Sequence, residues 1–511
     1  MEADASRTTA GSAAAADKKK VLQAASFGER IAEQEISNLS DYFVETDQWR
    51  RLLAGEVDIV YGPKGSGKSA LYSLLSTRAD ELFDRGILIV PAENPSGATA
   101  FADVVTEPPT SEGEFVGLWK LYFLSLLAQI LQEYGVETPQ AKSVYKALQE
   151  AGLLQEKGPL KALLRAAREY ARAVTKAEAV EGGIVIEPNT GMPIGVTGKI
   201  TFREPSAELQ AAGLVSIDSL LEAADRALGD LRFTVWLVLD RLDVAFEQHE
   251  ALEQNALRAL FKAYLDMQSL TQIGVKIFLR TDIWRRITTS GFREASHITR
   301  NLTIAWDRQS LCNVVMRRAL KNREICEYYG VDPDAVVTSV QAQEDLLRRM
   351  FPDQVDAGRN PATFDWMLSR TQDGTTQTAP RELIHLLSSV RDSQLRRYEI
   401  GHSEPPNEQL FDRPAFKDAL KQVSETRLTQ TLFAEYPSLK QYIEQLDGEK
   451  TQQTPETLGR IWGKTTEEAR ELAEQLVEVG FFEKRGSKQN PSYWVPFLYR
   501  DALNLVQGEA R

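Results

Sequence analysis

Short runs of consecutive apolar residues alternate with longer, helix-length segments over the first 306 residues of the chain. A run that is apolar at every position, rather than at every second one, is typical of a strand buried on both faces of a parallel sheet. Strands that alternate with helices predict an α/β fold, here with a doubly wound and mainly parallel sheet within 21–306. The runs lie at 57–60, 86–91, 232–240, 275–281 and, more weakly, 302–306.

The segments outside these runs have helical periodicity. Residues 21–50 form a predicted helical lead-in to the sheet, and 307–430 form a helical domain after it. An insertion at about 92–230 separates the second strand from the third, and its first helix has an apolar stripe that we expect in the core. Within the insertion, 183–202 alternates β-branched residues with Pro, Asn and Gly, which predicts a hairpin. A partner contact and a decorative role both stay open for it.

The last segment, 431–511, has the signals of a winged helix-turn-helix. The pair at 454–455, Thr followed by Pro, suits the N-cap and first turn of a short helix. Thr465 and Glu468 form a capping box for a second helix, which we expect to end before a glycine. The two strands of the predicted wing lie at 481–488 and 493–495.

Composition limits the protein class. The 511 residues are too many for one core, and 42% hydrophobic with 26% charged residues is ordinary for a soluble globular protein. The net charge of −13 argues against a surface that coats nucleic acid or an anionic membrane. No apolar run approaches the roughly 20 residues of a membrane span. The chain has two cysteines, Cys312 and Cys326, at neither zinc-site nor redox-motif spacing, so a reducing cytoplasm is expected. Residues 1–20 lack the order of a signal peptide and are predicted to be a disordered tail.

A glycine-rich segment follows the first predicted strand and fits the pattern G-x-x-x-x-G-K-[ST]. Its glycines let successive backbone N–H groups and the next helix N-terminus converge on phosphate oxygens. Lys68 would reach the β- and γ-phosphates of ATP, and Ser69 would place its hydroxyl on Mg²⁺. The predicted nucleotide contacts are Gly62, Pro63, Lys64, Gly65, Ser66, Gly67, Lys68, Ser69 and Ala70.

Hydrolysis needs a carboxylate that supports the metal and a group that orients water. Asp240 ends the third apolar run and is the predicted second protein ligand of Mg²⁺. Asp243, three residues later, is the candidate for polarising the attacking water. In the alternative interpretation Asp243 caps the next helix, and the base is Glu247 or is absent.

Two further positions are predicted to sense the γ-phosphate. Thr281 ends the fourth apolar run, whereas Arg280 beside it has Asp282 as an acidic neighbour. Arg381 lies in the first turn of a helix in the domain 307–430, where the macrodipole disfavours a cation and a functional role is therefore indicated. We expect that domain to form a lid on the nucleotide. The candidates for an arginine that neutralises charge on the γ-phosphate are Arg285, Arg286, Arg293 and Arg300.

Charge decides what the predicted winged helix-turn-helix binds. Its second helix, 466–479, carries five glutamates and one arginine, so a DNA phosphate backbone would repel it. Only the wing offers cations, namely Lys484, Arg485 and Lys488. Docking of a protein or autoinhibition is therefore favoured over the reading of DNA sequence.

These motifs resemble those of a bacterial P-loop ATPase family related to the STAND and KAP ATPases, within the wider AAA+ group. The resemblance rests on Tyr61–Leu71, Leu239–Asp243, Phe278–Ile283 and Pro380–Glu382, and it extends to Trp119 and to Val495–Arg500. STAND-type sequences tend to follow the second aspartate with glutamate, and this chain has Val244 there. The resemblance implies a nucleotide-driven switch that forms oligomers through its ATPase face and acts in signalling or in defence against phage.

The sequence thus predicts a cytoplasmic, Mg²⁺-dependent ATPase that binds ATP, assembles with copies of itself and acts on a protein effector or partner subunit. One alternative is an ATP-gated DNA-binding protein that grips the duplex with the winged helix. Another is a scaffold that holds ATP without turnover.

Overall fold

The protein is described by a computed structural model that covers residues 18–29, 35, 39–93, 111–154, 160–181, 199–242, 250–289, 291–487 and 489–510. These residues divide into two compact units. The sheet unit contains the described residues between 45 and 305, together with residue 35. The helical unit contains those between 306 and 510, together with 18–29 and 39–44. The predicted lead-in, 21–50, is therefore split between the two units.

Eleven strands occur in the described part of the chain. They are β1 (Ile59–Gly62), β2 (Ile87–Pro91), β3 (Ile200–Thr201), β4 (Val215–Ser216), β5 (Thr234–Leu239), β6 (Ile273–Arg280), β7 (Asn301–Thr303), β8 (Lys450–Gln453), β9 (Glu483–Gly486), β10 (Pro491–Trp494) and β11 (Val506–Glu509). The predicted strands at 57–60, 86–91, 232–240, 275–281 and 302–306 correspond to β1, β2, β5, β6 and β7.

Helices occupy most of the remainder. The first twelve are α1 (Lys18–Ala24), α2 (Leu39–Tyr42), α3 (Asp47–Leu53), α4 (Lys68–Thr77), α5 (Ala79–Asp84), α6 (Glu112–Glu133), α7 (Pro139–Glu150), α8 (Leu160–Glu181), α9 (Ala207–Ala211), α10 (Ile217–Asp230), α11 (Glu250–Met267) and α12 (Thr281–Thr289).

The helical unit contains α1, α2 and all the helices that follow α12. They are α13 (Arg308–Leu320), α14 (Arg323–Tyr329), α15 (Pro333–Val337), α16 (Val340–Met350), α17 (Thr363–Thr371), α18 (Pro380–Glu399), α19 (Arg413–Arg427), α20 (Phe433–Glu435), α21 (Pro437–Glu444), α22 (Pro455–Trp462), α23 (Thr466–Glu478) and α24 (Phe497–Arg500). A 3₁₀-helix, Arg293–His297, belongs to the sheet unit, and a π-helix, Leu428–Leu432, follows α19.

Five of the described strands form one sheet in the order β2-β5-β6-β1-β7, and every neighbouring pair is parallel. This confirms the predicted parallel sheet. Its central strand, β6, is buried along most of its length, with Val275, Ile277 and Leu279 at most 2% exposed. Continuous apolar runs suit this position because helices cover both faces of a parallel sheet.

The insertion between β2 and β5 supplies the main helical packing of the sheet unit. Its longest described hydrophobic helix, α6, packs against α8 and α11, and the Trp119 indole donates a hydrogen bond of 2.9 Å to the Ala256 carbonyl. One 18-residue stretch of α6 has the mean hydropathy of a membrane span, 1.4, but 83% of it is buried inside the structure. A helix in the core of a protein is buried in this way, so the position of α6 in the core accounts for its apolar composition.

The predicted hairpin at 183–202 falls mostly on residues 182–198, which lie outside the described residues. Its last residues include β3, which pairs in parallel with β4. The pairing of Ile200 with Val215 therefore joins the two ends of a helix-containing loop.

The helical unit has its own apolar core, in which residues of both predicted C-terminal domains, 307–430 and 431–511, pack together. Near its end, α22 and α23 are followed by an antiparallel pair, β9 and β10, within a four-stranded sheet of order β11-β8-β10-β9. The predicted caps are present: Thr454 accepts from the Thr457 N–H, and Thr465 with Glu468 forms a capping box. Local side-chain chemistry thus fixes where α22 and α23 begin.

Candidate nucleotide-binding site

The glycine-rich loop lies at the point in the sheet where the connections between strands reverse direction. After β1 the chain crosses to β2 at one edge of the sheet, whereas after β6, the neighbour of β1, it crosses to β7 at the other edge. Because crossovers between parallel strands are right-handed, α4 and α12 leave these two strands over opposite faces. A crevice therefore opens at the carboxyl ends of β1 and β6, which is where open α/β sheets bind ligands.

The loop backbone has the conformation that its glycines were predicted to allow. Gly65 and Gly67 have φ of +79° and +100°, in the left-handed region that disfavours other residues. Gly62 has a different constraint, because a Cβ atom there would overlap the Ser66 hydroxyl. Gly67 is the N-cap of α4, so the first N–H groups of this ten-residue helix face the loop.

Lys68 reaches back from the first position of α4 into the loop. Its ammonium donates to the carbonyls of Gly62 and Pro63, at 2.9 and 3.0 Å, and its side chain is largely buried. Ser69 occupies the next position of the same helical turn. A phosphate that contacted the N–H groups of the loop would also contact this ammonium, so the loop combines a cation with the positive end of a helix.

Asp240 directly follows β5 and is 4% exposed. Burial, and then the nearby charge of Asp240, raises the pKa of Tyr72, which lies on α4 one turn beyond Lys68. Arg241 then adopts φ of +56°, an unfavourable backbone conformation for a residue with a side chain. The strand tip is thus held in a defined, strained turn.

A hydroxyl and a carboxylate suit Mg²⁺, which prefers oxygen ligands and is usually held by one or two carboxylates together with substrate phosphates. The residues present therefore fit this ion. Ser69 would supply the hydroxyl from α4, and Asp240 the carboxylate from β5.

The predicted water-orienting residue, Asp243, and its alternative, Glu247, belong to 243–249, which lie outside the described residues. Their roles stay predictions. Thr281 was expected to end the strand, but it begins α12, because β6 stops at Arg280. Arg280 is in register with Gly62, so Thr281 follows directly at the crevice. Arg280 pairs with Asp282 at 2.8 Å.

The arginines that were candidates for contact with the γ-phosphate lie in different places. Arg300 precedes β7 and pairs with Asp58, which precedes β1, so it lies at the amino edge of the sheet, away from the loop. Arg286 pairs with Glu253 of α11 at 2.9 Å. Arg381 belongs to the helical unit, where it is the second residue of α18. Its predicted contact with the γ-phosphate stays a prediction.

A buried carboxylate that no sequence motif indicates lies at the carboxyl edge of the sheet. Glu93 comes two residues after β2 and is 1% exposed. The Tyr72 hydroxyl donates to its backbone carbonyl at 3.1 Å, and the Tyr122 hydroxyl donates to the carbonyl of Ala92 at 2.9 Å. The only sequence signal is an acidic residue just past a strand that ends in proline.

The fold and this loop define the class of site: a strand, a glycine-rich turn and a helix at the carboxyl edge of a parallel α/β sheet. No family model and no curated protein matches the sequence. Among solved structures, the chain is similar to the ORC2 protein of Aeropyrum pernix in ADPNP–ADP complexes, with 12% identity and a TM-score of 0.37 over 89% of this chain and 90% of that one. The ADP form of the same protein gives 11% identity and a TM-score of 0.30 over 92% and 90%. TM-scores of this size do not establish a common fold.

Proposed function

We propose that the chain is a cytoplasmic, Mg²⁺-dependent ATPase of the AAA+ group whose bound nucleotide switches its assembly, in bacterial signalling or antiphage defence. The observation that carries the proposal is the preorganised loop between β1 and α4. Its left-handed glycines, its inward-reaching Lys68 and the helix N-terminus converge at the crevice beside β6. This combination of backbone N–H groups with one buried ammonium is what a triphosphate requires.

Each residue has a distinct part in the proposed reaction. Lys68 contacts the β- and γ-phosphates, and Ser69 and Asp240 would hold Mg²⁺, which would offset charge that develops on the phosphoryl oxygens. Thr281 and Arg381 contact the γ-phosphate, and a carboxylate orients the attacking water. Asp243 is the residue predicted for that last role.

Replacement of Lys68 by alanine tests nucleotide binding. We expect Lys68→Ala to weaken ATP binding by about one to two orders of magnitude, because a charge-assisted contact contributes roughly 1.5–3 kcal/mol. Titration with a fluorescent ATP analogue measures this. Lys146→Ala is the matched control, since Lys146 is 77% exposed on α7 of the same unit. Equal affinity of native protein and Lys68→Ala, or no affinity of either, contradicts the proposal.

For the C-terminal module of β8, α22, α23, β9 and β10, we propose a winged helix-turn-helix that docks a protein. The wing cations support this choice over DNA. Lys484 forms an ion pair with Glu474, and Arg485 pairs with Glu483 at 2.7 Å, so both charges have acidic neighbours on the module itself. Salt-dependent retention of the protein on duplex DNA, lost on replacement of Lys484 and Arg485, would favour the DNA-binding alternative.

A further inference from the structure

We propose that Glu93 is the catalytic carboxylate that orients the attacking water for ATP hydrolysis. This inference rests on the proposed function. It assigns a role that the sequence motifs gave to Asp243, and it does so from the pairing of two strands that are distant in sequence.

The register of the sheet places Glu93 beside Asp240. Pro91 of β2 pairs with Val238 of β5, and the Ala92 N–H continues the ladder with a 2.8 Å hydrogen bond to the Val238 carbonyl. Continued two residues beyond this last pair, past the ends of β2 and β5, the register would set Glu93 opposite Asp240. Residues opposite each other on parallel neighbours share a face, and their backbones lie about 4.8 Å apart.

The face that the two carboxylates share is the one covered by α4. Tyr72 of α4 packs against the Phe278 ring of β6, with 6.1 Å between the ring centroids. Leu239 pairs with Ile277, so the residues that follow them, Asp240 and Phe278, lie on the same face of the sheet. Burial, then the charges of Asp240 and Glu93, raise the pKa of the Tyr72 phenol. Both carboxylates are therefore near the helix that carries Lys68 and Ser69.

Two phenols fix the tip of β2. Tyr72 and Tyr122 donate to the carbonyls of Glu93 and Ala92, and both hydroxyls are buried. These bonds end on backbone oxygens, so they hold the end of the strand in place. A catalytic group must be held in this way if it is to position a water molecule accurately.

The order of strands gives Glu93 the outer position. From the loop at β1, the sheet continues through β6 and β5 to β2. Asp240 at the end of β5 would hold the metal ion, and Glu93 at the end of β2 lies one strand further from the loop. An in-line water approaches the γ-phosphorus from the side opposite the leaving ADP. The longer glutamate side chain is suited to reach it.

In the proposed step, the carboxylate of Glu93 accepts a hydrogen bond from the water. The water oxygen forms a bond to the γ-phosphorus while the bond to the β–γ bridging oxygen breaks, and ADP leaves with that electron pair. The proton of the water passes to Glu93 and then to the phosphate product or to solvent. Atoms and charge balance with ATP and water as the only reactants.

The test compares turnover with binding in the full chain. We expect Glu93→Gln to release phosphate about 100-fold more slowly, the lower range for loss of a positioned acid–base group. ATP affinity should change by less than threefold, because the amide is isosteric with the carboxylate. Glu81→Gln on α5, whose side chain is 58% exposed, is the control and should keep the native rate.

Three results would overturn the inference. The first is a rate for Glu93→Gln within a few-fold of native, and the second is a parallel loss of ATP affinity, which would mark Glu93 as structural. The third is full turnover by Glu93→Asp, since shortening the side chain must slow a positioned base; this variant also serves if Glu93→Gln does not fold. Native protein that fails to bind ATP refutes the proposed function instead.

Discussion

At the scale of single residues, the loop depends on one close contact that glycine alone allows. A methyl group at Gly62 would overlap the Ser66 hydroxyl and approach the Ile304 Cβ to 3.4 Å. We therefore expect Gly62→Ala to displace the loop, lower ATP affinity at least tenfold and destabilise the sheet unit by roughly 1–3 kcal/mol, as overpacking does. Fluorescent-ATP titration and denaturant unfolding measure the two effects.

Two further variants make this prediction specific. Gly113→Ala places a methyl group in open space on α6, so it should leave ATP affinity unchanged. Gly62→Ala with Ser66→Gly removes the overlapping group and should recover part of the lost affinity. An unchanged affinity for Gly62→Ala alone would show that the loop adapts, and the argument from its close packing would be wrong.

The residue scale also shows the limit of motif-based prediction. Gly62, Gly65, Lys68 and Ser69 were identified because their spacing is local, and local spacing determines the geometry of a turn and a first helical turn. Glu93 was missed because its place beside Asp240 depends on the pairing of β2 with β5 across the long insertion. Nothing in the sequence near Glu93 specifies that register.

At the scale of elements, apolar runs located the five sheet strands to within three residues, since full burial requires continuous hydrophobicity. The caps at Thr454 and Thr465 placed α22 and α23 equally well. The start of α12 at Thr281 and the parallel β3–β4 pair were not predicted. Both depend on tertiary pairing rather than on a local pattern.

A charge cluster joins α18, α19 and the loop that follows α17, and it carries a stability prediction. Arg427, the last residue of α19, pairs with Glu382 of α18 at 3.0 Å and with Asp373 at 3.4 Å, and its side chain is 9% exposed. We expect Arg427→Met to destabilise this unit by roughly 3–5 kcal/mol, because the buried Glu382 carboxylate and the part-buried Asp373 carboxylate lose their cation. Denaturant unfolding followed by circular dichroism measures the change.

The control for this prediction is Arg348→Met, which breaks an ion pair at a 66% exposed site and should leave the unfolding midpoint unchanged. Addition of Glu382→Gln to Arg427→Met should recover part of the loss, since it removes one unpaired charge. If Arg427→Met unfolds at the native midpoint, solvent must reach the two carboxylates, and the cluster is not a structural link.

At the scale of the whole molecule, a switch requires that ATP and ADP bind its states with different affinity. The sheet unit and the helical unit each have their own core, so a nucleotide held by the first can change assembly without unfolding the second. We expect the mass in solution to increase with ATP and Mg²⁺ and to return to the nucleotide-free value as ATP is consumed; analytical ultracentrifugation measures it. Glu93→Gln should hold the assembled state for longer, and Lys68→Ala should stay unassembled. If the mass in solution is the same with and without ATP, the protein does not act as an assembly switch. Nucleotide that binds all assembly states equally cannot shift the equilibrium between them.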